Sequence, residues 1–154
     1  MKIILDDMDR RLLRHWQADA TLAPAELAER CGLTAGKAAR RIARMQEAGV
    51  IEGVSAVIDW TALGYSVEVS LRITLDKTVP RAFDDFLRAA REVPEVTEIQ
   101  TFLGRVDVRL NIIARDMSHY QEIYRMQVLT LPHIADIEAL MQIARIKAEE
   151  ALPL

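Results

Sequence analysis

The chain has 154 residues, is 51% hydrophobic, carries a formal net charge of -3 and contains one cysteine. That length and apolar content can bury a core, as one domain or two small ones, while a lone cysteine excludes a disulfide framework and a cysteine-built metal centre. No apolar run approaches the roughly 18 residues of a membrane span, and "MKIILDDMDRR" turns acidic too early for a secretion signal, so a cytoplasmic protein is expected.

Charge is unevenly spread. Residues 1–53 carry nine basic and eight acidic side chains, against eleven and fifteen in residues 54–154. The first third is therefore the better candidate for a polyanionic partner.

In chain order, "LDDMDRRLLRHWQAD" predicts a helix capped by Asp6, with Asp7 and Asp9 in the favourable N-terminal turn. Leu5, Met8, Leu12, Leu13 and Trp16 recur on one side at helical spacing. "APAELAERCGLT" predicts a second helix with Pro24 in its first turn, Leu27 and Ala28 inward, and Gly32 in the left-handed conformation that ends it. Leu33 then packs inward and Thr34 caps a third helix. Alanine, three residues, glycine, an apolar residue and a hydroxyl residue is the spacing of a helix-turn-helix, where Ala28 must be small for the helices to cross. Cys31 sits in this turn with no histidine nearby to activate it, and reads as a small apolar side chain.

The third helix opens with "TAGKAARRIAR", residues 34–44, which holds four cations and no acid. At 100° per residue Lys37, Arg40, Arg41 and Arg44 span an arc of about 100°. Ala38, Ile42 and Met45 occupy the neighbouring, inward arc. A basic arc beside a buried one suits a helix lying in a major groove, with Thr34 and Gly36 at its start among the DNA-facing residues. A solvated cationic face is the competing reading of the charges alone. Residues nearest the helix start are expected at base edges, with Arg44 on phosphate. Eight neutralised phosphates per dimer would give a log–log salt slope of about -7. On this reading Arg41→Ala weakens DNA binding and leaves the fold intact. Gly49 closes the helix, and "VIEGVSAVID" predicts a small β-ribbon, or wing.

"SVEVSLRITL" alternates without error, with Val67, Val69, Leu71, Ile73 and Leu75 on one face. Pro80 is expected to open a helix whose Phe83, Phe86, Leu87 and Ala90 face inward. "EVTEIQTFLG" and "VDVRLNIIA" predict two strands joined at Gly104. Ser118 is expected to cap "HYQEIYRMQVLTL", with Tyr120, Ile123, Tyr124 and Val128 inward, and "IADIEALMQIARI" predicts a last strand. The expected architecture is α+β: a winged helix-turn-helix over 1–53, a strand and linker over 54–65, and a ferredoxin-like βαββαβ unit over 66–154. Ile137, Met141 and Ile143 on one face of the last strand, against Leu140 and Ile146 on the other, point to a second copy covering the sheet.

His15, His119 and His133 lack metal-ligand spacing. No phosphate loop, GxSxG or Cys/His pair appears, so neither catalysis nor a cofactor is expected.

The pieces "LDDMD", "LAERCGLT", "RIARMQEAGVIEG", "LGY", "GRVDVRL", "RDMSHY" and "LPHI", in this order over nearly the whole chain, resemble the Lrp/AsnC (leucine-responsive/asparagine-regulator) transcription factors. The resemblance implies a regulator that binds double-stranded DNA as a homodimer, often assembled to an octamer. It also implies a small effector, usually an amino acid, held between C-terminal domains. Carried over, the effector residues are Gly104, Arg105, Val106 and Asp107, with Leu140, Met141 and Gln142 from the last strand. Asp107 would receive an ammonium and the N–H groups near Gly104 a carboxylate; a tight turn using Asp107 as its acceptor is the structural alternative. Val108 replaces the family's usual aromatic residue, and "AGK" replaces its hydroxyl and proline residues at the third helix.

Two other readings share the architecture. A metabolite sensor without DNA binding would not need the basic arc. A siroheme-decarboxylase-like enzyme would need a histidine and aromatics where this chain has "LGRVDVR".

Overall fold

The computed structural model describes residues 3–144, 146 and 151–154, which fall into two compact units: residues up to 57 together with 151–154, and residues 58–146.

In the first unit, α1 (Asp7–Ala18), α2 (Pro24–Arg30) and α3 (Ala35–Glu47) follow in the expected order. Asp6 caps α1 in a reciprocal box: it accepts from the Asp9 N–H at 2.8 Å, and Asp9 accepts from the Asp6 N–H at 3.1 Å. The ends of α2 and α3 share one chemistry. Gly32 (φ 68°) and Gly49 (φ 70°) take the left-handed region. The N–H groups that follow, Leu33 and Val50, reach back to the carbonyls of Ala28 and Met45 at 2.8 Å each. The turn sets α2 against α3 around Leu12, Leu27, Ala28, Cys31, Ala38 and Met45, all buried. Ala28 and Ala38 have essentially no exposed surface, as a close helix crossing requires. Burial raises the Cys31 thiol pKa, which keeps it protonated and inert.

The expected wing does not form: residues 50–59 carry no strand. The N–H groups of Val50 and Ile51 are spent on the Met45 carbonyl (2.8 and 3.3 Å), so the first two donors of a ribbon are already taken. Beyond it Val54, Val57 and Ile58 are exposed. The last residues lie against α1, where Arg14 Nε donates to the Leu154 carbonyl (2.5 Å) and Gln17 exchanges two hydrogen bonds with Leu152.

In the second unit, β1 (Val67–Leu75), β2 (Val96–Thr101), β3 (Val108–Ala114) and β4 (Ile134–Met141) form one antiparallel sheet in the order β2-β3-β1-β4. With α4 (Ala82–Ala90) and α5 (Met117–Ile123) this is the ferredoxin-like arrangement. The alternating residues of β1 and of β3 (Val108, Leu110, Ile112, Ala114) meet Phe86, Ala90, Tyr120, Ile123 and Val128 in one core.

Four local expectations change. Phe83 points outward, 42% exposed, and Ala82 takes the inward place. Asp116, rather than Ser118, caps α5 by accepting from the His119 N–H at 2.8 Å. The helix then widens into a π turn, Tyr124–Val128, where the Leu129 N–H donates to the Tyr124 carbonyl five residues back (2.9 Å). Finally, β4 stops at Met141, so Ile143 and Ile146 lie beyond it. The face of the sheet away from the helices carries ion pairs, Arg72–Glu138 (3.4 Å) and Arg109–Glu98 (3.5 Å), with Leu140 as an exposed apolar residue.

Candidate nucleic-acid interface

Helix α3 starts where the Thr34 side chain accepts from the Lys37 N–H at 3.4 Å. Its buried stripe is Ala38 and Met45, with Ile42 partly buried beside them. Measured around the helix from Ala38, Arg41 lies about 60° off that stripe, Lys37 about 100°, Arg44 about 120° and Arg40 about 160°. The four cations together with Met8 and Leu33 line an open recess of about 490 Å³.

The four are not equivalent. Lys37 and Arg40 are exposed, and among the described residues neither has an ion-pair partner. Arg41 is turned back onto α1: its Nη1 lies 2.7 Å from Asp6 Oδ2, 2.9 Å from Asp6 Oδ1 and 2.8 Å from Asp9 Oδ1. Arg44 Nη2 donates to Asp9 Oδ2 at 2.5 Å. Asp9 is 0% exposed, the sole buried charged residue among the described residues, where it accepts from these arginines and the Asp6 N–H. Arg41→Ala therefore removes one of the two guanidiniums on a buried carboxylate: Arg44 remains to hold Asp9, so the fold is kept while its stability falls.

Sequence reasoning missed this pairing, although a signal was present. From Leu5, Asp9 lies about 40° around α1, between Trp16 at about 20° and Leu13 at about 80°. A carboxylate in the middle of an apolar arc requires a cation. Taking Asp9 only as a dipole partner overlooked its azimuth. The Arg41 guanidinium, followed by the Asp9 N–H, holds the Asp6 carboxyl below its usual range. Its contribution to stability is complete above the unfolded carboxyl value of about 3.9 and fades as pH falls through the lower folded value.

Gly36 occupies the first turn of α3 with open space where a Cβ would go. Gly36→Ala should therefore stabilise the unit by about 0.5–1 kcal/mol, read as a higher melting temperature. A loss of stability would mean that the backbone there needs glycine.

The proposed effector residues separate. Thr74 Oγ1 donates to the Arg105 carbonyl (3.2 Å), and Asp107 ties its turn to the end of β1. Asp107 Oδ2 accepts from the Leu75 N–H (2.9 Å), Oδ1 lies 3.4 Å from Lys77 Nζ, and its own N–H donates to the Ile73 carbonyl (3.0 Å). The Asp107 carboxylate thus lies beside an ammonium and accepts from a backbone donor at the end of β1, rather than from its own turn. A Cβ added at Gly104 would meet nothing. Leu140, Met141 and Gln142 lie at the opposite end of β1, where the Gln142 N–H donates to the Glu68 carbonyl (3.0 Å) and Met141 pairs with Val69. Three to seven residues of extended strand, about 10–23 Å, separate the two groups along β1.

The AsnC-type helix-turn-helix domain model matches residues 5–46, and the Lrp/AsnC ligand binding domain model matches residues 68–152. The proline dehydrogenase transcriptional activator of Rhodobacter capsulatus is 33% identical over 135 residues, 88% of each chain. An AsnC family transcriptional regulator from Agrobacterium tumefaciens superposes with a TM-score of 0.88 at 32% identity over 97% of each chain. A transcriptional regulator from Neisseria meningitidis, solved in complex with L-Met, superposes with a TM-score of 0.91 at 24% identity over 97% of each chain, a likeness of fold.

Proposed function

The chain belongs to the Lrp/AsnC family of transcriptional regulators, and from that premise we infer that it is a sequence-specific DNA-binding regulator that responds to a small effector, an amino acid or a derivative of one. It acts in the cytoplasm, without catalysis. Residues 1–53 supply the DNA-binding part, 54–65 the connection, and 66–154 the effector and assembly part, apart from residues 151–154, which pack against α1. The observation that carries the DNA reading is α3 itself: a capped helix, set by the α2 turn, that presents Lys37 and Arg40 exposed and, among the described residues, without an ion-pair partner. Lys37, one turn from the helix start, reaches base edges with Thr34 and Gly36, and Arg40 engages base or phosphate. Arg41 and Arg44 hold the helix as much as they hold DNA.

The working unit is a homodimer, assembled further to an octamer. Two observations support it. The effector residues at Gly104–Asp107 and at Leu140–Gln142 sit at opposite ends of β1, so one ligand touches both only across chains. Val54, Val57 and Ile58 are exposed apolar residues in a segment that carries no regular structure. An amino-acid effector is supported by the L-Met bound to the Neisseria regulator. Its binding between chains would shift the assembly state and so the spacing of the α3 pairs.

The protein incubated with fragments of its own genome at about 150 mM salt, including DNA upstream of its own gene, should retain a few discrete fragments. Uniform weak retention would reduce the basic arc to a general polyanion patch. Sedimentation with a panel of amino acids should show at least one that changes the assembly. If none does, the effector role of Gly104, Arg105, Val106, Asp107, Leu140, Met141 and Gln142 is lost.

A further inference from the structure

Arg41 has two carboxylates of different character within reach of one nitrogen. Asp9 is wholly buried and cannot leave. Asp6 has a side chain 54% exposed and presents both oxygens to Nη1 of Arg41, which itself lines the recess on α3. A carboxylate there offers what a phosphate offers, paired anionic oxygens for a guanidinium. It also places a negative charge beside the cations that attract DNA.

We propose that Asp6 is a specificity-determining residue: it competes with DNA phosphate for Arg41 and so suppresses sequence-independent binding. This inference rests on the DNA-binding reading of α3. Non-specific complexes draw nearly all their affinity from phosphate contacts, so each cation withheld from the backbone weakens them in full. An operator complex also draws on base contacts from Lys37 and Arg40 and depends less on Arg41. The retained Asp6–Arg41 pair therefore costs non-operator DNA more than operator DNA. The pair also keeps the guanidinium on the flank of α3 beside α1, where docking of the helix does not require it to swing outward.

Asp6→Asn separates this role from capping, because asparagine caps a helix as well as aspartate and its oxygen can still accept from the Asp9 N–H. Two duplexes of equal length serve as probes: a genomic fragment that the wild-type protein selects, and the same fragment with its sequence shuffled. The expected result is a roughly fivefold gain in affinity for the shuffled duplex. Its salt slope should steepen by about one for each α3 engaged, and the gain for the selected fragment should be smaller. Asp6→Ser, an uncharged cap, should behave alike and stands in if the asparagine variant folds poorly. Asp7→Asn removes the same formal charge from an exposed neighbour and should leave the ratio unchanged.

Unchanged or weaker binding of the shuffled duplex, equal gains for both duplexes, or the same change from Asp7→Asn would each overturn the proposal and leave Asp6 a cap alone. A wild-type protein that selects no fragment would overturn the DNA reading and this inference with it. Selection by the wild type with no effect of Asp6→Asn overturns only the inference.

Discussion

The double substitution Arg41→Ala/Arg44→Ala should unfold the helix-turn-helix unit under conditions where each single variant remains folded. Asp9 is 0% exposed, and its oxygens are held by Arg41 at 2.8 Å and Arg44 at 2.5 Å. With both guanidiniums gone, the Asp6 N–H alone faces a buried negative charge. Leaving such a charge uncompensated costs about 3–5 kcal/mol, a large share of the stability of an ordinary domain. Either arginine alone still neutralises Asp9, so the single losses should sum to clearly less than the double loss. Thermal or urea unfolding of the four proteins measures this directly. Adding Asp9→Leu to the double variant should recover stability, because an apolar side chain suits that site once the cations are removed. A double variant that melts with the wild type would mean that Asp9 does not depend on them.

Lys37→Ala and Arg40→Ala should act in the opposite sense, leaving the fold unchanged and weakening operator binding. Both side chains are exposed and unpaired among the described residues. Each is expected to cost about 1–3 kcal/mol where it reaches a base edge, and less, with a shallower salt slope, where it grips phosphate. The salt slope of the wild type decides how far Arg41 and Arg44 take part. Two available cations from each of two protomers give a slope of about -3.6, whereas release of all four gives about -7. Fluorescence anisotropy over a salt series reads the slope. A value near the steeper limit would show that docking pulls both arginines off Asp9. Full-strength binding by Lys37→Ala/Arg40→Ala would remove α3 from the interface.

The legible parts of this protein share one property: they depend on residues within a turn or two of each other. Gly32 and Gly49 adopt the left-handed conformation expected where a helix must stop. Thr34 and Asp6 cap as their positions require. The alternation of "SVEVSLRITL" became the alternating burial of β1, with one register shift against β4 between Thr74 and Leu75. Two local errors have local causes. Asp116 outcompetes Ser118 because the carboxylate reaches the His119 N–H from one turn further back. By spacing both Ala82 and Phe83 fit the inward stripe of α4, and Ala82 packs there while Phe83 stays 42% exposed. The wing failed because the cap of α3 consumed its first donors.

By itself, then, the sequence determined the element order, the inward faces, the turn between α2 and α3 and the clustering of cations on α3, since periodicity and turn chemistry act over short range. Only the tertiary structure decided which of those cations are available. Asp9 meets Arg41 and Arg44 across 32 and 35 residues, and a buried carboxylate takes whichever guanidinium the helix crossing brings within reach. It likewise decided that Asp107 is occupied and that the two halves of the expected effector site stand at opposite ends of β1, because strand register, rather than motif order, sets which residues can share a ligand.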